Sequence, residues 1–378
     1  MKKYLSLFFV AVLLFSLTFS GVGFAQSPQN AKEYLVQFNG SVNKGLLKAF
    51  GVDNQDIIYE YQLLPVVHLE LTEQQAKGLA NNPHIKYLEE NATAESFAES
   101  VPWGVPHVQG TTAQANGFTG SGVKVAILDT GIDLSHEDLS ANIKGGFSVF
   151  DDAANRDPYY DANGHGTHVA GTVAAVNNNL GVLGVAYQAD LYAVKVLNND
   201  GSGSYAGIAR GIEWSVQNGM DIVNMSLGGS TSSSILKEWS DLAYAQGVLL
   251  VAAAGNSGTR PGRGDNVGYP AKYDSVIAVA AVDQNNNRAT FSSTGPAVEI
   301  SAPGVSILST IPNNGYASYN GTSMASPHVA GVAALLLENN SNLTNTELRE
   351  LLQSSAKSLG TASQYGYGLV QAMDAINQ

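Results

Sequence analysis

The chain has 378 residues, and only 13% of them are charged, which indicates a large buried core. This length suits one large domain and one small one. The net charge of −13 excludes a nucleic-acid binder, which needs clustered Lys and Arg, and argues against an anionic membrane as a partner. Cysteine is absent, so an exported form must be stabilised by its core or by bound metal.

The N-terminus has the pattern of a targeting segment. Lys2 and Lys3 precede an apolar run over residues 5–19, and Gly23 and Ala25 are the small residues that a signal peptidase reads. The run is shorter than the roughly 20 residues of a spanning helix, although an uncleaved anchor is the alternative. We therefore expect residues 1–25 to be a signal peptide and the product to be secreted, extracellular and soluble.

Residues 26–97 have the pattern of a small domain. An alternating strand over 33–38, a pair of strands within 57–71 around Pro65 and a last strand over 84–89 are separated by two short helical stretches. The second stretch opens with Thr72-Glu-Gln-Gln75, which matches a capping box. The order β-α-β-β-α-β predicts a ferredoxin-like α+β unit.

Beyond a polar linker, residues 98–378 alternate strands with helices. Short, nearly continuous apolar runs are typical of parallel strands that are buried on both faces. The pattern predicts a doubly wound, mostly parallel α/β sheet with helices on both faces. The predicted strands are 123–128, 191–197, 222–226, 248–253 and 276–280, and the clearest helices are 207–217 and 233–246.

Three short segments hold the candidate catalytic residues. Asp129 follows a strand directly, where ligands of open α/β sheets bind. His165 lies between glycines before a helical stretch, so its imidazole is accessible. Ser323 precedes a strongly helical run, and the unpaired N–H groups of a helix start favour a developing oxyanion. A plain helix cap is the ordinary alternative for Ser323.

The histidines leave an alternative open. His165 and His168 are three residues apart and share a helix face, as two zinc ligands would. A zinc site needs a third ligand, and no His-Glu-x-x-His pattern is present. His168 and His328 are therefore predicted to be structural.

Asp-Thr-Gly at 129–131, His-Gly-Thr-His at 165–168 and Gly-Thr-Ser-Met-Ala-Ser-Pro at 321–327 resemble the three signatures of the subtilisin family. They occur in that family's order of Asp, His and Ser. The resemblance runs from about residue 98 to the C-terminus, and the segment before it is similar to the family's propeptide. It implies a serine endopeptidase in which Asp129, His165 and Ser323 form the catalytic triad and the Asn256 amide stabilises the oxyanion.

The resemblance also implies where substrate binds. Two extended segments would pair with substrate main chain, and small residues would line a pocket for a large apolar P1 side chain, the residue before the scissile bond. Some relatives have Glu where Ser257 stands, so a weaker preference for basic P1 residues is expected. The implied residues are Gly201, Ser202, Gly203, Ser226, Leu227, Gly228, Ala253, Ser257 and Gly268.

The family's structural calcium is the implied cofactor. Its tight site would take oxygen ligands, as calcium prefers, from Glu99, Asp138 and Asn178 side chains and from the carbonyls of Val176, Leu180 and Val182. Many relatives have Gln at the position of Glu99. A weaker cation site would lie near Ala271, Tyr273 and Val276. The acidic residues of the loop before His165, namely Asp151, Asp152, Asp157 and Asp161, are predicted to be solvated, with an extra cation site as the alternative.

The same resemblance implies an inactive precursor. Residues 26–97 would help the catalytic domain to fold and then inhibit it as an intramolecular propeptide, and residues 98–378 would be the catalytic domain. Self-cleavage is predicted between Phe97 and Ala98, because a large apolar residue suits the implied P1 pocket. A monomer that acts on proteins and peptides with broad specificity is expected.

Two other enzyme classes are weighed against this one. Gly201-Ser-Gly-Ser-Tyr-Ala206 matches a relaxed dinucleotide fingerprint, and Asp221 lies about 20 residues on. However, Asp221 begins the next strand, whereas a ribose-binding acid ends it. An esterase of the α/β-hydrolase type requires Gly-x-Ser-x-Gly, which does not occur in this sequence.

Overall fold

The computed structural model describes residues 31–92 and 99–378, and each range belongs to its own compact unit. The predicted signal peptide and the predicted cleavage point at residues 97–98 lie outside the described residues. Within these ranges, no helix combines the length and the apolar character that a membrane crossing requires.

The first unit is a four-stranded antiparallel sheet in the order β2-β3-β1-β4, carrying two helices. The predicted capping box is present, since Thr72 accepts a hydrogen bond from the Gln75 backbone and Gln75 accepts one from the Thr72 backbone. The β-α-β-β-α-β order agrees with the prediction. The elements are β1 Ala31–Phe38, α1 Lys44–Ala49, β2 Ile57–Glu60, β3 Val66–Thr72, α2 Glu73–Ala80 and β4 Ile85–Glu90.

The second unit is built on a seven-stranded parallel sheet in the order β11-β10-β9-β8-β5-β7-β6. A separate antiparallel hairpin pairs β12 with β13. The strands are β5 Lys124–Asp129, β6 Ile143–Ser148, β7 Asp190–Lys195, β8 Ile222–Met225, β9 Leu249–Ala253, β10 Val276–Val282, β11 Val298–Pro303, β12 Ile307–Ile311 and β13 Gly315–Tyr319.

Helices cover both faces of this sheet, as predicted. Helices α5 and α8 pack on one face, and α6 and α7 pack together on the other. The helices of this unit are α3 Gly104–His107, α4 Gly110–Ala115, α5 His165–Ala174, α6 Tyr205–Gln217, α7 Ser234–Ala245, α8 Thr322–Asn339, α9 Asn345–Ser354, α10 Ala362–Tyr365 and α11 Ala372–Ile376.

Strand β5 shows why the central strands are continuously apolar. Val125 and Ile127 belong to the hydrophobic core under α5 and α8, whereas Ala126 and Leu128 belong to the core on the other face. Because successive side chains of a strand point to opposite faces, a sheet buried on both sides needs an apolar residue at every position. Such a sheet carries its polar side chains at the strand ends, which is where the candidate site lies.

Candidate active site

Asp129 is the last residue of β5 and is fully buried. Its Oδ1 accepts hydrogen bonds from the Thr130 backbone N–H at 2.8 Å and from His165 Nδ1 at 2.7 Å. The carboxylate therefore determines the tautomer of the imidazole: Nδ1 carries the proton, and Nε2 keeps its lone pair for other chemistry.

Close packing of backbones brings His165 to this carboxylate. His165 is the first residue of α5, and Gly164 before it adopts a left-handed φ of 88°. A methyl group on Gly166 would overlap the Gly131 carbonyl oxygen, so only glycine lets α5 start against the turn after β5. The glycines beside His165 thus explain the short Asp129–His165 distance, while the imidazole remains 27% exposed.

The electrostatics of His165 favour its protonated form. Burial by itself lowers the pKa of His165, but the charge of Asp129 and the hydrogen bond to it, together with the charge of Asp161, raise this pKa above the ordinary value. The imidazolium that forms when His165 accepts a proton is therefore stabilised by two carboxylates.

Asp161 was predicted to be a solvated loop charge, and this prediction is wrong. Its side chain is 3% exposed, and its two oxygens accept five hydrogen bonds. The five donors are Thr130 Oγ1, Asn163 N and Gly164 N to Oδ1, and Thr167 N and Thr167 Oγ1 to Oδ2. Because the first N–H groups of a helix have no partner within it, a carboxylate here stabilises the start of α5.

The other acids of this loop agree with the prediction. Asp151, Asp152 and Asp157 are exposed, and Asp152 and Asp157 accept local backbone hydrogen bonds that shape turns.

A buried lysine that the sequence analysis did not single out lies behind the site. Lys195, paired with Asp129 across β5 and β7, donates to the Thr130 carbonyl and to Asn199 Oδ1. Burial lowers the pKa of Lys195, although the negative charges of Asp161 and Asp129 act to raise it.

Ser323 is the second residue of α8 and exchanges two hydrogen bonds with Ser226. Ser323 Oγ donates to the Ser226 carbonyl at 3.1 Å, and Ser226 Oγ donates to the Ser323 carbonyl at 2.7 Å. Pro327 lies four residues after Ser323 and has no N–H to give to that carbonyl. The Ser226 hydroxyl therefore replaces the missing helix hydrogen bond.

Asn256 follows β9, and its side-chain amide contacts the start of α8. Its Oδ1 accepts from Thr322 N at 2.9 Å and from Thr322 Oγ1 at 3.0 Å. A backbone N–H only donates, so the amide oxygen must lie on this side, and the Nδ2 donor points the other way. The orientation of this amide is therefore determined by the start of α8.

Ser323 and Asn256 stand between two adjoining depressions of the surface. One, of about 410 Å³, is also lined by His165 and by the 318–320 segment. The other, of about 510 Å³, is lined by five of the predicted substrate-binding residues. These five are Leu227, Gly228, Ala253, Ser257 and Gly268.

The remaining predicted substrate-binding residues do not line the larger depression. The side chain of Ser226 is buried against Ser323. Gly201, Ser202 and Gly203 form an exposed turn after β7, in which Asn198 N donates to the Ser202 carbonyl at 2.8 Å. An ion pair that was not predicted, Asp265 with Lys272, stands in the wall of the larger depression.

The predicted ligands of the tight calcium site lie together. Asp138 is fully buried, with Oδ1 2.9 Å from Asn178 Nδ2, and Glu99 Oε1 accepts from the Asn178 backbone at 3.0 Å. Within the described chain, no hydrogen bond reaches the carbonyls of three further predicted ligands: Val176, Leu180 and Val182. The Asn178 amide oxygen accepts from Leu180 N at 2.8 Å, so the two carboxylates and the free carbonyls are the oxygen donors here that fit calcium.

The predicted weak cation site lies in the segment that leads into β10. Tyr273 and Ala271 are buried there, and the Tyr273 carbonyl accepts a hydrogen bond from Val276 N at 2.9 Å. In residues 31–92 and 99–378, no cluster of three or more His, Cys, Asp or Glu side chains is placed to hold a metal ion. Because the side chains of Ala271 and Val276 contain no ligand atom, these two residues could contribute to such a site only through their backbone carbonyls.

His168 and His328 behave as structural histidines. Burial lowers the pKa of each to about 4, so both rings are neutral at neutral pH. His168 Nε2 donates to the carbonyls of Ile307 and Ala317, and its ring stacks on Tyr319 with 4.4 Å between the ring centres. Since the Nε2 of His168 carries a proton, it is not available as a zinc ligand beside His165.

Asp221 lies at the wrong end of its strand for a dinucleotide site. It immediately precedes β8, and its Oδ2 accepts a hydrogen bond from Lys124 N at 2.8 Å. Dinucleotides bind at the carboxyl ends of parallel strands, whereas this carboxylate secures the opposite edge of the sheet.

A buried carboxylate that orients a histidine, next to a serine at a helix start on a parallel α/β sheet, defines a serine hydrolase. The chain belongs to the subtilase family, whose family model matches residues 120–368. It is a serine endopeptidase of the subtilisin type.

Three relatives illustrate how far the similarity extends. Subtilisin E of Bacillus subtilis (strain 168) is 44% identical over 99% of this chain and 98% of its own length. Alkaline elastase YaB of Bacillus sp. (strain YaB) is 47% identical over 95% of both chains. A thermostable alkaline protease of Halalkalibacterium halodurans is 48% identical over 92% of this chain and 93% of its own. The similarity thus includes the segment before the family domain.

Proposed function

We propose that Asp129, His165 and Ser323 are the catalytic triad of this endopeptidase. The observation that carries the proposal is the 2.7 Å hydrogen bond from His165 Nδ1 to the buried Asp129, with Ser323 and His165 lining one depression. A serine hydroxyl is a weak nucleophile at neutral pH and needs a base beside it. The free Nε2 of His165 is that base.

The reaction follows from these positions. The Ser323 hydroxyl turns about its Cα–Cβ bond from the Ser226 carbonyl to His165 Nε2 and attacks the scissile carbonyl carbon as its proton passes to the imidazole. The C–N bond breaks, and the imidazolium returns this proton to the leaving amine. A water molecule then hydrolyses the acyl-enzyme by the same proton path, while Asp129 holds the tautomer and stabilises the imidazolium.

Asn256 and the start of α8 stabilise the oxyanion in this scheme. The Nδ2 of Asn256 points away from its two Thr322 contacts, and the N–H of Ser323 belongs to the first turn of a helix, where amides have no partner within the helix. Donors that are already oriented cost no reorganisation when charge develops, which makes this kind of stabilisation large.

Substrate main chain is proposed to pair with 201–203 and 226–228. Pairing with main chain reads no side chains and therefore gives broad specificity. The P1 side chain enters the depression lined by Ala253, Ser257 and Gly268, where small residues leave room for a large apolar group. The substrates are proteins and peptides.

Calcium is proposed as a structural cofactor at Glu99, Asp138 and the 176–182 loop. When bound, it would supply positive charge that offsets the two carboxylates. The chain's own residues do the rest: Asp138 Oδ2 accepts from Val182 N at 2.9 Å and from Tyr316 OH at 3.0 Å, which ties this loop to β13. A weaker cation site at Ala271, Tyr273 and Val276 remains part of the proposal.

A secreted precursor is the remaining part of the proposal. Residues 1–25 direct export, 26–97 are the propeptide and intramolecular inhibitor, and 98–378 are the catalytic domain, which acts as a monomer. Relatives that match almost the whole chain support an organisation of the same extent.

The test compares the wild-type precursor with Ser323→Ala and with Ser341→Ala, an exposed serine after α8, as the matched control. Intact mass and casein hydrolysis are measured. The wild type and Ser341→Ala should yield a species starting at or near Ala98 and digest casein, whereas Ser323→Ala should stay unprocessed and inactive. Casein digestion by Ser323→Ala at the wild-type rate contradicts the triad. Equal processing of all three proteins would contradict self-cleavage and would leave the triad to be decided by casein hydrolysis.

A further inference from the structure

The depression assigned to the P1 side chain contains one ion pair. Lys272 Nζ lies 2.7 Å from Asp265 Oδ2, and the two side chains are 29% and 38% exposed. The other residues that line this depression are uncharged. The wall therefore carries one positive and one negative charge that neutralise each other.

Both partners are held by their surroundings. The Lys272 backbone N–H donates to the Gly268 carbonyl at 2.9 Å, which places Lys272 one turn beyond the pocket residue Gly268. A methyl group on Gly295 would overlap the Asp265 carboxylate, and Gly295 has a φ of 155° that favours glycine. The pair is thus accommodated by the fold.

The segment that carries Asp265 is also anchored. Asn266 N donates to the Thr294 carbonyl at 2.9 Å, and Thr294 N donates back to Asn266 Oδ1 at 2.8 Å. A carboxylate on a fixed segment keeps its place when a neighbouring charge is removed. It would then face whatever enters the depression.

We infer that the Asp265–Lys272 pair determines the charge selectivity of the P1 pocket, with Lys272 masking a carboxylate that would otherwise bind a basic P1 side chain. The inference rests on the proposed function, because it assumes that P1 binds beside Ser323. A P1 Lys must displace Lys272 to reach Asp265, and a P1 Glu must displace Asp265 to reach Lys272. An apolar P1 side chain displaces neither, so the intact pair favours it.

The test measures kcat/KM for three peptides that differ only in P1, which is Phe, Lys or Glu. Lys272→Met removes the ammonium and keeps the side-chain length, Asp265→Asn removes the carboxylate, and the double variant removes both. A tenfold change in kcat/KM corresponds to about 1.4 kcal/mol. We expect Lys272→Met to raise the Lys:Phe ratio about tenfold and Asp265→Asn to raise the Glu:Phe ratio similarly. The double variant should return both ratios to near the wild-type values.

The matched control is Lys237→Met, which breaks an ion pair of 2.6 Å with Asp241 on α7, outside the depression. A Lys:Phe ratio in Lys272→Met no higher than in Lys237→Met, with the Phe peptide still cleaved, overturns the inference and leaves the proposed function standing. If Lys272→Met cleaves no peptide, the Lys:Phe ratio of Lys272→Gln and the Glu:Phe ratio of Asp265→Asn decide in the same way. Cleavage of the Phe peptide by Ser323→Ala at the wild-type rate instead overturns the proposed function.

Discussion

The Ser226 hydroxyl compensates for the amide that Pro327 lacks. It donates to the Ser323 carbonyl, which is the helix acceptor that proline leaves without a partner. The Ser226 side chain therefore stabilises the start of α8. Its backbone carbonyl accepts the hydrogen bond that holds the Ser323 hydroxyl in its present position. The resemblance had suggested only a substrate-binding role for this residue.

Replacing Ser226 with Ala should leave the Ser323 carbonyl without a donor. A buried acceptor left unsatisfied costs about 1–3 kcal/mol, so the free energy of unfolding should fall by that amount. Chemical denaturation of the inactive Ser323→Ala background avoids self-digestion during the measurement. Ser341→Ala in the same background is the control, and an equal stability of Ser226→Ala and Ser341→Ala would contradict the compensating role.

If His165 is the base, as proposed, Asp161 should affect the pH dependence of activity. Its negative charge favours the imidazolium and raises the pKa of His165. Asp161→Asn should therefore lower this pKa. Because His165 accepts a proton only when neutral, activity is lost as pH falls through its pKa, and the acid limb of kcat/KM should move to lower pH in the variant.

The control for this shift is Asp151→Asn, an exposed acid of the same loop. The profiles are to be measured well below the melting temperature, since an Asn side chain has only one acceptor oxygen for the five donors around Asp161 and the variant will be less stable. An acid limb that stays in place, or that moves up in pH, would show that Asp161 only holds the loop.

At the scale of the element, the geometry of the proposed triad depends on how closely α5 approaches β5. Gly166 lies where a side chain would overlap the Gly131 carbonyl, with Asp129 Cβ at 3.1 Å on another side. A single methyl group would push the start of the helix, and with it His165, away from Asp129. Placement errors of about 1 Å cost on the order of a hundredfold in rate.

Gly166→Ala should accordingly lower kcat by about a hundredfold or more. Gly207→Ala in α6 is the matched control, since its methyl group would lie 3.3 Å from the Val149 methyl, which can move. Steady-state kinetics on one peptide with both variants is the measurement. Equal kcat values for the two variants would contradict the role of close backbone packing.

Periodicity predicted most of the elements. Five central strands and helices α6 and α7 were predicted because a two-sided core requires apolar residues in succession. The edge strands β6 and β11 were not, since Ile143–Ser148 contains two glycines and a lysine, and Val298–Pro303 contains Glu299 and ends in proline. In β6 only Ile143 is buried, so its sequence carries a weak pattern, whereas β11 is buried at five of its six positions and only its glutamate and its proline obscure the pattern.

At the scale of the whole molecule, calcium is expected to support the cysteine-free fold. A ligand that binds only the folded state at 100 times its Kd stabilises it by about 2.7 kcal/mol. Removing calcium with a chelator should therefore lower the Tm by roughly 5–10 °C, since each kcal/mol is about 2–4 °C for a domain somewhat smaller than this one.

Asp138→Asn should lower the Tm and also reduce the difference between calcium and chelator. Asp283→Asn, on an exposed turn after β10, is the control that should keep this difference. Differential scanning calorimetry of the Ser323→Ala background is the measurement, because it needs no activity. A wild-type Tm that is equal with and without calcium would contradict the proposed site.

The sequence by itself determined the family, the sheet and the identity of the candidate catalytic residues, because motif spacing and strand periodicity are local properties of a chain. Only the tertiary structure decided the surroundings of those residues. Asp161 is buried because its carboxylate accepts hydrogen bonds from backbone amides at the start of α5. An acid just before a predicted helix start is a sequence signal for such a cap, and it was overlooked. Asp265 and Lys272 gave no such signal, since nothing in a seven-residue separation indicates a salt bridge across a pocket wall. Contacts between distant segments arise from how the elements pack, and one sequence does not encode them locally.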